Sequence, residues 1–215
     1  MDANLELASH AIMIIHGTNM GRIDISQDLI HFTKDETEEA AFKRLQKIIH
    51  ERKLVGGTNL IKGKYRCVCF SEAPLTSLAA GLINEDYYSK YSPFGVMVSK
   101  QWLFEQGGRP VIYQPNSEFR LLPESHRWRH VTFDIRPTFS FSDFTWEREW
   151  RIRCDELPFD HKSARIVVPD ARWAARLVRE HDDEQDYTVE MYSLVIGSVA
   201  ELYRERFGWT VARLK

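Results

Sequence analysis

Three short stretches carry side chains whose types and spacing suit chemistry. The first is Leu29-Ile30-His31-Phe32-Thr33, a histidine at the end of an apolar run with a hydroxyl two residues on. Imidazole is neutral near pH 7, so His31 can donate to a sugar hydroxyl while stacking on a ring. The second is Cys69-Phe70-Ser71-Glu72-Ala73-Pro74. Phe70 offers a flat apolar wall, Ser71 a hydroxyl for a ribose or an amide, and Glu72 a carboxylate just past the strand. The third is Trp146-Glu147-Arg148-Glu149-Trp150-Arg151-Ile152. Strand alternation places Trp150 and Ile152 on one face and Glu147, Glu149 and Arg151 on the other. Two carboxylates on one face suit two roles: one stabilises a sugar cation, the other orients or deprotonates a nucleophile. Each stretch also has a purely structural reading: a histidine bonded to backbone, a strand-to-turn junction broken by Pro74, and a solvated edge strand with Glu and Arg pairs.

A further set is basic and aromatic. Arg109-Pro110-Val111-Ile112-Tyr113 and the run His126-Arg127-Trp128-Arg129-His130 interleave cations with rings. Such a set can grip a phosphate chain or a nucleic acid by charge and stacking, or it can be a solvated loop anchored by Trp128. His126 and His130 have helical metal-binding spacing, but no accompanying acid completes a metalloprotease motif. A metal held by Glu72, Glu147 and Glu149 is a third way to use the carboxylates, as a nucleic-acid-processing enzyme would. The phosphate loop GxxxxGK[ST] and the nucleophile elbow GxSxG do not occur in the sequence.

The elements that must position these groups follow from periodicity and punctuation. Leu29 to Phe32 reads as a short strand, and so does Ala11 to His16, before a turn at Gly17 to Gly21. Asp35 to Lys53 is a helix: Ala41, Leu45, Ile48 and Ile49 recur at helical spacing. Asp35 or Thr37 caps it, Glu38 and Glu39 suit its first turn, and Gly56-Gly57 ends it. Tyr65 to Ser71 is a strand by β-branched and aromatic content. Leu75 to Ile83 forms a short helix. Phe94 to Ser99 is a strand, Gln101 to Gln106 a helical turn, Pro110 to Tyr113 a strand, and Glu149 to Cys154 a strand. Glu118 to Arg136 has no clear pattern. Arg165 to Pro169 is a strand, Asp170 caps a helix to about His181, and Met191 to Ile196 is a strand ending at Gly197. Ser198 caps a helix to Phe207, and Thr210 to Leu214 closes the chain as a strand. Many short strands with few helices, in no strict βαβ order, predict an α+β fold.

A length of 215 residues suits a single domain spanning 1–215 and buries a sizeable core. Hydrophobic residues are 43% and charged residues 28%, an ordinary globular balance. The net charge of -2 removes a global basic field, though not a local basic groove. Cys67, Cys69 and Cys154 are few and odd in number, so no disulfide framework is implied; Cys67 and Cys69 read as small buried hydrophobes. The apolar run Ala11 to Ile15 is too short to span a membrane, and no signal-peptide pattern precedes it. The expectation is a cytoplasmic protein without a membrane partner.

The order of the motifs carries a resemblance. A strand-terminal His followed by Thr, then a helix, an aromatic-Ser strand, and a late Glu at a strand start resembles the ADP-ribosyltransferase superfamily, whose members cleave the nicotinamide–ribose bond of NAD⁺. More closely, His31-Phe32-Thr33, Cys69 to Leu75, Phe94-Gly95-Val96, Lys100-Gln101-Trp102 and Arg109 to Tyr113 are similar to AbiGi-type abortive-infection proteins. The resemblance covers roughly residues 29–155. It implies an ADP-ribosyltransferase-like fold of split mixed and antiparallel sheets with a few flanking helices. It implies NAD⁺ as substrate and no metal. His31 and Thr33 would contact the NAD⁺ ribose, Phe70 would pack on nicotinamide and Ser71 would contact ribose. Glu149 would be the catalytic carboxylate, with Glu147 upstream in an E-x-E arrangement and His31 beside them. Phe70 stands where many relatives have Tyr. The acceptor would be a protein, a nucleic acid or water, in phage defence or a toxin–antitoxin pair. The alternative on the same scaffold is a non-catalytic antitoxin or regulatory module.

Overall fold

The computed structural model describes residues 25–73, 91–136 and 141–214. The strand expected at 11–16, the turn at 17–21 and the helix at 75–83 lie outside the described residues. The chain is α+β, with one large mixed sheet, two small ones and a few helices. The strands are β1 (Asp28–Phe32), β2 (Lys53–Val55), β3 (Cys67–Ser71), β4 (Gly95–Ser99), β5 (Arg109–Pro110), β6 (Ile112–Gln114), β7 (His130–Thr132), β8 (Glu149–Arg153), β9 (Glu156–Pro158), β10 (Ala164–Val168) and β11 (Val211–Arg213). The helices are α1 (Glu38–Glu51), α2 (Lys100–Glu105) and α3 (Ala171–Ile196).

Seven strands pair in the order β11-β10-β4-β1-β3-β8-β5, antiparallel except for the parallel β10–β11 pair. β2 and β9 pair antiparallel, and β6 and β7 pair parallel. The three stretches nominated from sequence therefore become neighbours: β1 and β8 flank β3 on either side.

Register decides which side chains share a face. Ile30 sits opposite Ser71, Ser71 opposite Glu149, and Phe70 opposite Trp150. Partners in register project to one face and their neighbours in sequence to the other. One face carries Leu29, Val68, Phe70, Val96, Trp150, Ile152 and Ile166, all sealed by Phe42 and Leu45 of α1, Leu103 of α2, and Trp173 and Leu177 of α3. Phe42, Phe94 and Trp173 pack ring against ring with centroids 4.9 to 5.8 Å apart. The other face carries a smaller apolar set, Ile30, Phe32, Met97 and Val167, beside Tyr91. Gly95 keeps β1 close to β4, since a Cβ there would stand 2.4 Å from the His31 carbonyl oxygen.

Helix caps follow the sequence. The Thr37 side chain accepts from Ala40 N, and Asp170 accepts from Trp173 N. Several boundaries differ from expectation; the strand expected over Pro110 to Tyr113 divides at Val111 into β5 and β6, which belong to different sheets. α1 ends at Arg52, a non-glycine in the left-handed region at φ 52°, and passes straight into β2. Gly56 does other work: a Cβ there would lie 2.1 Å from the Cys154 carbonyl oxygen. The segment Met191 to Ile196, expected as a strand, instead completes a 26-residue α3, because a short apolar run does not by its content distinguish helix from strand. Gly197 at φ 60° ends it, and a 3-10 turn over Gly197–Tyr203 replaces the helix expected from Ser198. The unpatterned region holds two 3-10 turns, Asn116–Leu121 and Glu124–Arg129, followed by β7. No helix among the described residues is long and apolar enough to cross a membrane.

Candidate functional site

Ser71, Cys69, Glu149 and Arg151 form a polar block on the sheet face opposite the one that α1, α2 and α3 cover. Arg151 is 4% exposed, so its charge must be met inside the protein. It is: Nε donates to Glu149 Oε1 at 2.7 Å and Nη2 to Glu149 Oε2 at 3.2 Å, a two-pronged clamp. Its Nη1 donates to the carbonyls of Trp128 at 3.1 Å and His130 at 3.0 Å. Burial alone would lower the Arg151 pKa; the Glu149 charge reverses that and raises it. The Glu149 backbone is held as well, its N–H donating to the Tyr113 hydroxyl at 3.1 Å. Burial pushes the Tyr113 phenol up to about 12, so that hydroxyl is protonated and donates to the Phe144 carbonyl at 3.2 Å.

Glu147 does not continue the strand. It ends a 3-10 turn (Thr145–Glu147), and Arg148 at φ 45° turns the chain before β8 begins at Glu149. The expected period-two relation between Glu147 and Glu149 is therefore replaced by a bend. A left-handed non-glycine costs about 1–3 kcal/mol, and such bends persist only where surrounding bonds hold them. Here the Glu147 carbonyl accepts from Ser71 Oγ at 2.9 Å and from Glu72 N at 3.2 Å. Tyr91 donates its hydroxyl to Glu147 Oε2 at 3.3 Å. Burial, with the Glu149 charge second, pushes the Glu147 carboxyl up to about 7. The same two carboxylates, after burial, raise the Tyr91 phenol pKa and keep it a donor. The pair thus consists of one ion-paired carboxylate and one that exchanges a proton near neutral pH.

The other nominated residues fall elsewhere. His31 projects to the helix-covered face, with its ring 5.8 Å from Phe70 in an edge contact and Nδ1 donating to the Cys69 carbonyl at 2.8 Å. Burial lowers its pKa, so it is neutral. Phe70 is core, 2% exposed among residues of both flanking helices. Thr33 is buried and donates Oγ1 to the Phe94 carbonyl at 3.0 Å, tying the end of β1 to β4. Ser71 is buried, donating to Glu147 O and accepting from Ala73 N at 3.2 Å, so it braces the bend. Glu72 lies on the Trp150 side, bonded to Lys100 Nζ at 2.6 Å and Trp150 Nε1 at 2.7 Å, and does not converge with Glu147 and Glu149. Among the described residues no group of three His, Cys, Asp or Glu side chains is placed to hold a metal ion.

The structure adds Tyr91, Tyr113 and Arg151 to the site. Arg151 was legible as a same-face neighbour of Glu149; Tyr113 was legible in the strand expected at Pro110 to Tyr113, though not as a partner of Glu149, and Tyr91 comes from a segment with no element expected from sequence. A cavity of about 630 Å³ lies away from this block, between α1, α3 and the C-terminal segment, with Gln46, His50, His181, Tyr192, Phe207 and Trp209 in its wall. Comparison of the chain with protein-family models, with curated proteins and with solved structures finds no match.

Proposed function

We propose that this chain is an NAD⁺-dependent ADP-ribosyltransferase or NAD⁺ glycohydrolase on an ADP-ribosyltransferase-like fold, acting in bacterial phage defence. The observation that carries this reading is the unlike pair of carboxylates, Glu149 clamped by Arg151 and Glu147 titrating near 7. The adjacency of β1, β3 and β8, which bear the three resembling motifs in order, supports the fold assignment. In the reaction, the bond between the ribose anomeric carbon and the nicotinamide nitrogen breaks and its electron pair leaves with nicotinamide. Glu149 faces the cation that develops on the sugar. An acceptor hydroxyl or water forms the new bond to the anomeric carbon, and its proton passes to Glu147, whose pKa suits a general base at neutral pH. His31, Thr33 and Phe70 then support the sheet behind the site, and Ser71 positions Glu147. The test is nicotinamide release by the purified chain: turnover that is lost in a Glu149→Ala protein shown by circular dichroism to be folded supports the reading, and equal release from both, or none from either, overturns it.

A second reading, a non-catalytic antitoxin or regulatory module, is favoured by one observation. Arg151 engages both oxygens of Glu149, as a purely structural ion pair would. NAD⁺ that neither binds in calorimetry nor raises the unfolding temperature would decide for it.

A further inference from the structure

On the edge of the molecule beyond Arg151, several cations gather that no carboxylate bonds among the described residues. The Lys62 ammonium stands 4.6 Å from the centroid of the Phe119 ring, and the Arg127 guanidinium 5.8 Å from the same ring. Arg153 lies 4.9 Å from the centroid of Tyr65. Both rings flank Gly63, where a Cβ would meet Tyr65 at 2.7 Å and Phe119 at 3.6 Å, so the two cation–ring groups are one cluster. The 3-10 turn Glu124–Arg129 extends it. Its Trp128 is buried as the anchor, while Arg129 bonds the Pro110 carbonyl at 2.9 Å. Arg109, above Phe104 at 3.8 Å, lies near enough to Arg129 for their charges to repel.

Among the described residues, Lys62, Arg109, Arg127, Arg129 and Arg153 have no carboxylate partner; their bonds go to backbone carbonyls, an amide or rings. On the helix side Lys43, Arg44, Arg176 and Arg204 are ion-paired, while Arg172 has only the Trp173 ring among the described residues. Glu118 and Glu124 are the acids on the two turns, and Arg66 is paired with Asp155 at the rim. In a chain of net charge -2, this concentration of uncompensated cations is a local field. Cations held in place by rings resist the self-repulsion and stay presented for an anionic strand. Rings and guanidinium planes also offer faces on which unstacked bases lie, a surface that a duplex cannot use.

We propose that this basic and aromatic ridge binds the phosphate backbone of a single-stranded nucleic acid. The ridge reaches the carboxylates through one side chain, because Arg151 bonds Glu149 at one end and the Trp128 and His130 carbonyls at the other. Under the proposed function the bound strand would serve as the acceptor; that step rests on the proposed function, whereas the binding does not.

The experiment measures fluorescence anisotropy of labelled oligothymidylate and oligouridylate of about 12 nucleotides with the full chain, without NAD⁺, from about 50 to 200 mM salt. A duplex of the same length and a polyglutamate peptide are the comparison probes. Binding of either single strand, weakening with salt and stronger than to both comparison probes, is the expected result; which strand binds more tightly separates DNA from RNA. Lys62→Ala with Arg153→Ala lowers the slope of log affinity against log salt by about 1.4, at roughly 0.7 per lost phosphate contact. Phe119→Ala weakens both strands about tenfold. Circular dichroism checks that each variant folds, and exposed Lys62→Ala alone, with a slope change of about 0.7, replaces the double variant if that one does not. Equal affinity for polyglutamate, preference for the duplex, absence of binding at low salt, or unchanged slopes in folded variants each overturn the proposal.

Discussion

On the helix-covered face of the central sheet, Phe70, Trp150 and Val96 lie sealed under α1 and α3. One residue further along the same strands, on the opposite face, Ser71, Glu149 and Arg151 are tied by charge and hydrogen bonds. The first face is stabilised by burial, about 1.5–3 kcal/mol for each large side chain. The second contributes little net stability, because a buried ion pair roughly repays its own desolvation. A chain gains nothing for folding by burying Arg151 where an apolar residue would pack, so the polar face is where function is to be sought. His31 sits on the wrong side of this division to share a site with Glu149.

The sharpest way to break the comparison is turnover. Under the proposed reaction, Glu147→Gln keeps the shape and removes the proton acceptor, so nicotinamide release falls by about 10²–10⁴-fold. His31→Ala, across the sheet, shows its effect in the denaturation midpoint instead. A folded His31→Ala protein that has lost turnover as fully as Glu147→Gln would show that the two faces share a site after all.

Stability separates the faces next. Arg151→Met leaves Glu149 buried without its partner and costs about 3–5 kcal/mol in urea denaturation. Arg151→Met combined with Glu149→Leu recovers most of that loss, since the penalty lies in the orphaned charge. Phe70→Ala also costs about 3–5 kcal/mol, through a cavity, and no polar partner change recovers it.

The third test is pH. The folded Glu147 carboxyl titrates near 7, above its unfolded value of 4.5. Between those two values the folded state holds a proton that the unfolded state has released, so this residue makes stability fall as pH rises through that window. The loss is at most about 3 kcal/mol and is complete above the folded pKa. Urea midpoints at pH 5 and pH 8 differ in the wild type, and Glu147→Gln removes this part of the difference; an unchanged difference in the variant would place the titration elsewhere. The smallest effect belongs to neither face. Thr37→Ala removes the α1 cap and costs about 1 kcal/mol in urea denaturation.

Much of the fold was legible where one physical signal dominated. α1 announced itself through the 3.6-residue spacing of Ala41 and Leu45 and through its Thr37 cap. β8 announced itself through alternation, and Trp150 and Ile152 do face the core while Glu149 and Arg151 face away. The end of α3 was not legible, because Leu194 and Val195 are 76% and 86% exposed. Exposed apolar residues at the end of a helix defeat a reading that equates apolar runs with buried strands. Within the site, the Glu147–Glu149 pair was visible as sequence spacing, yet the bend at Arg148 was not: a left-handed arginine has no composition signal.

Sequence by itself determined that β1, β3 and β8 exist and which side chains alternate along each, because strand geometry allows only a period of two. It could not determine which alternating set of one strand meets which set of the next. That choice is the register, fixed when Ile30 pairs with Ser71 and Ser71 with Glu149. A shift of one residue exchanges every side chain between faces. Tertiary packing against α1 and α3 made the choice by claiming Leu29, Phe70 and Trp150 for the core. His31 was carried to the same face with them, half-buried, and Ser71, Glu149 and Arg151 were left to face one another.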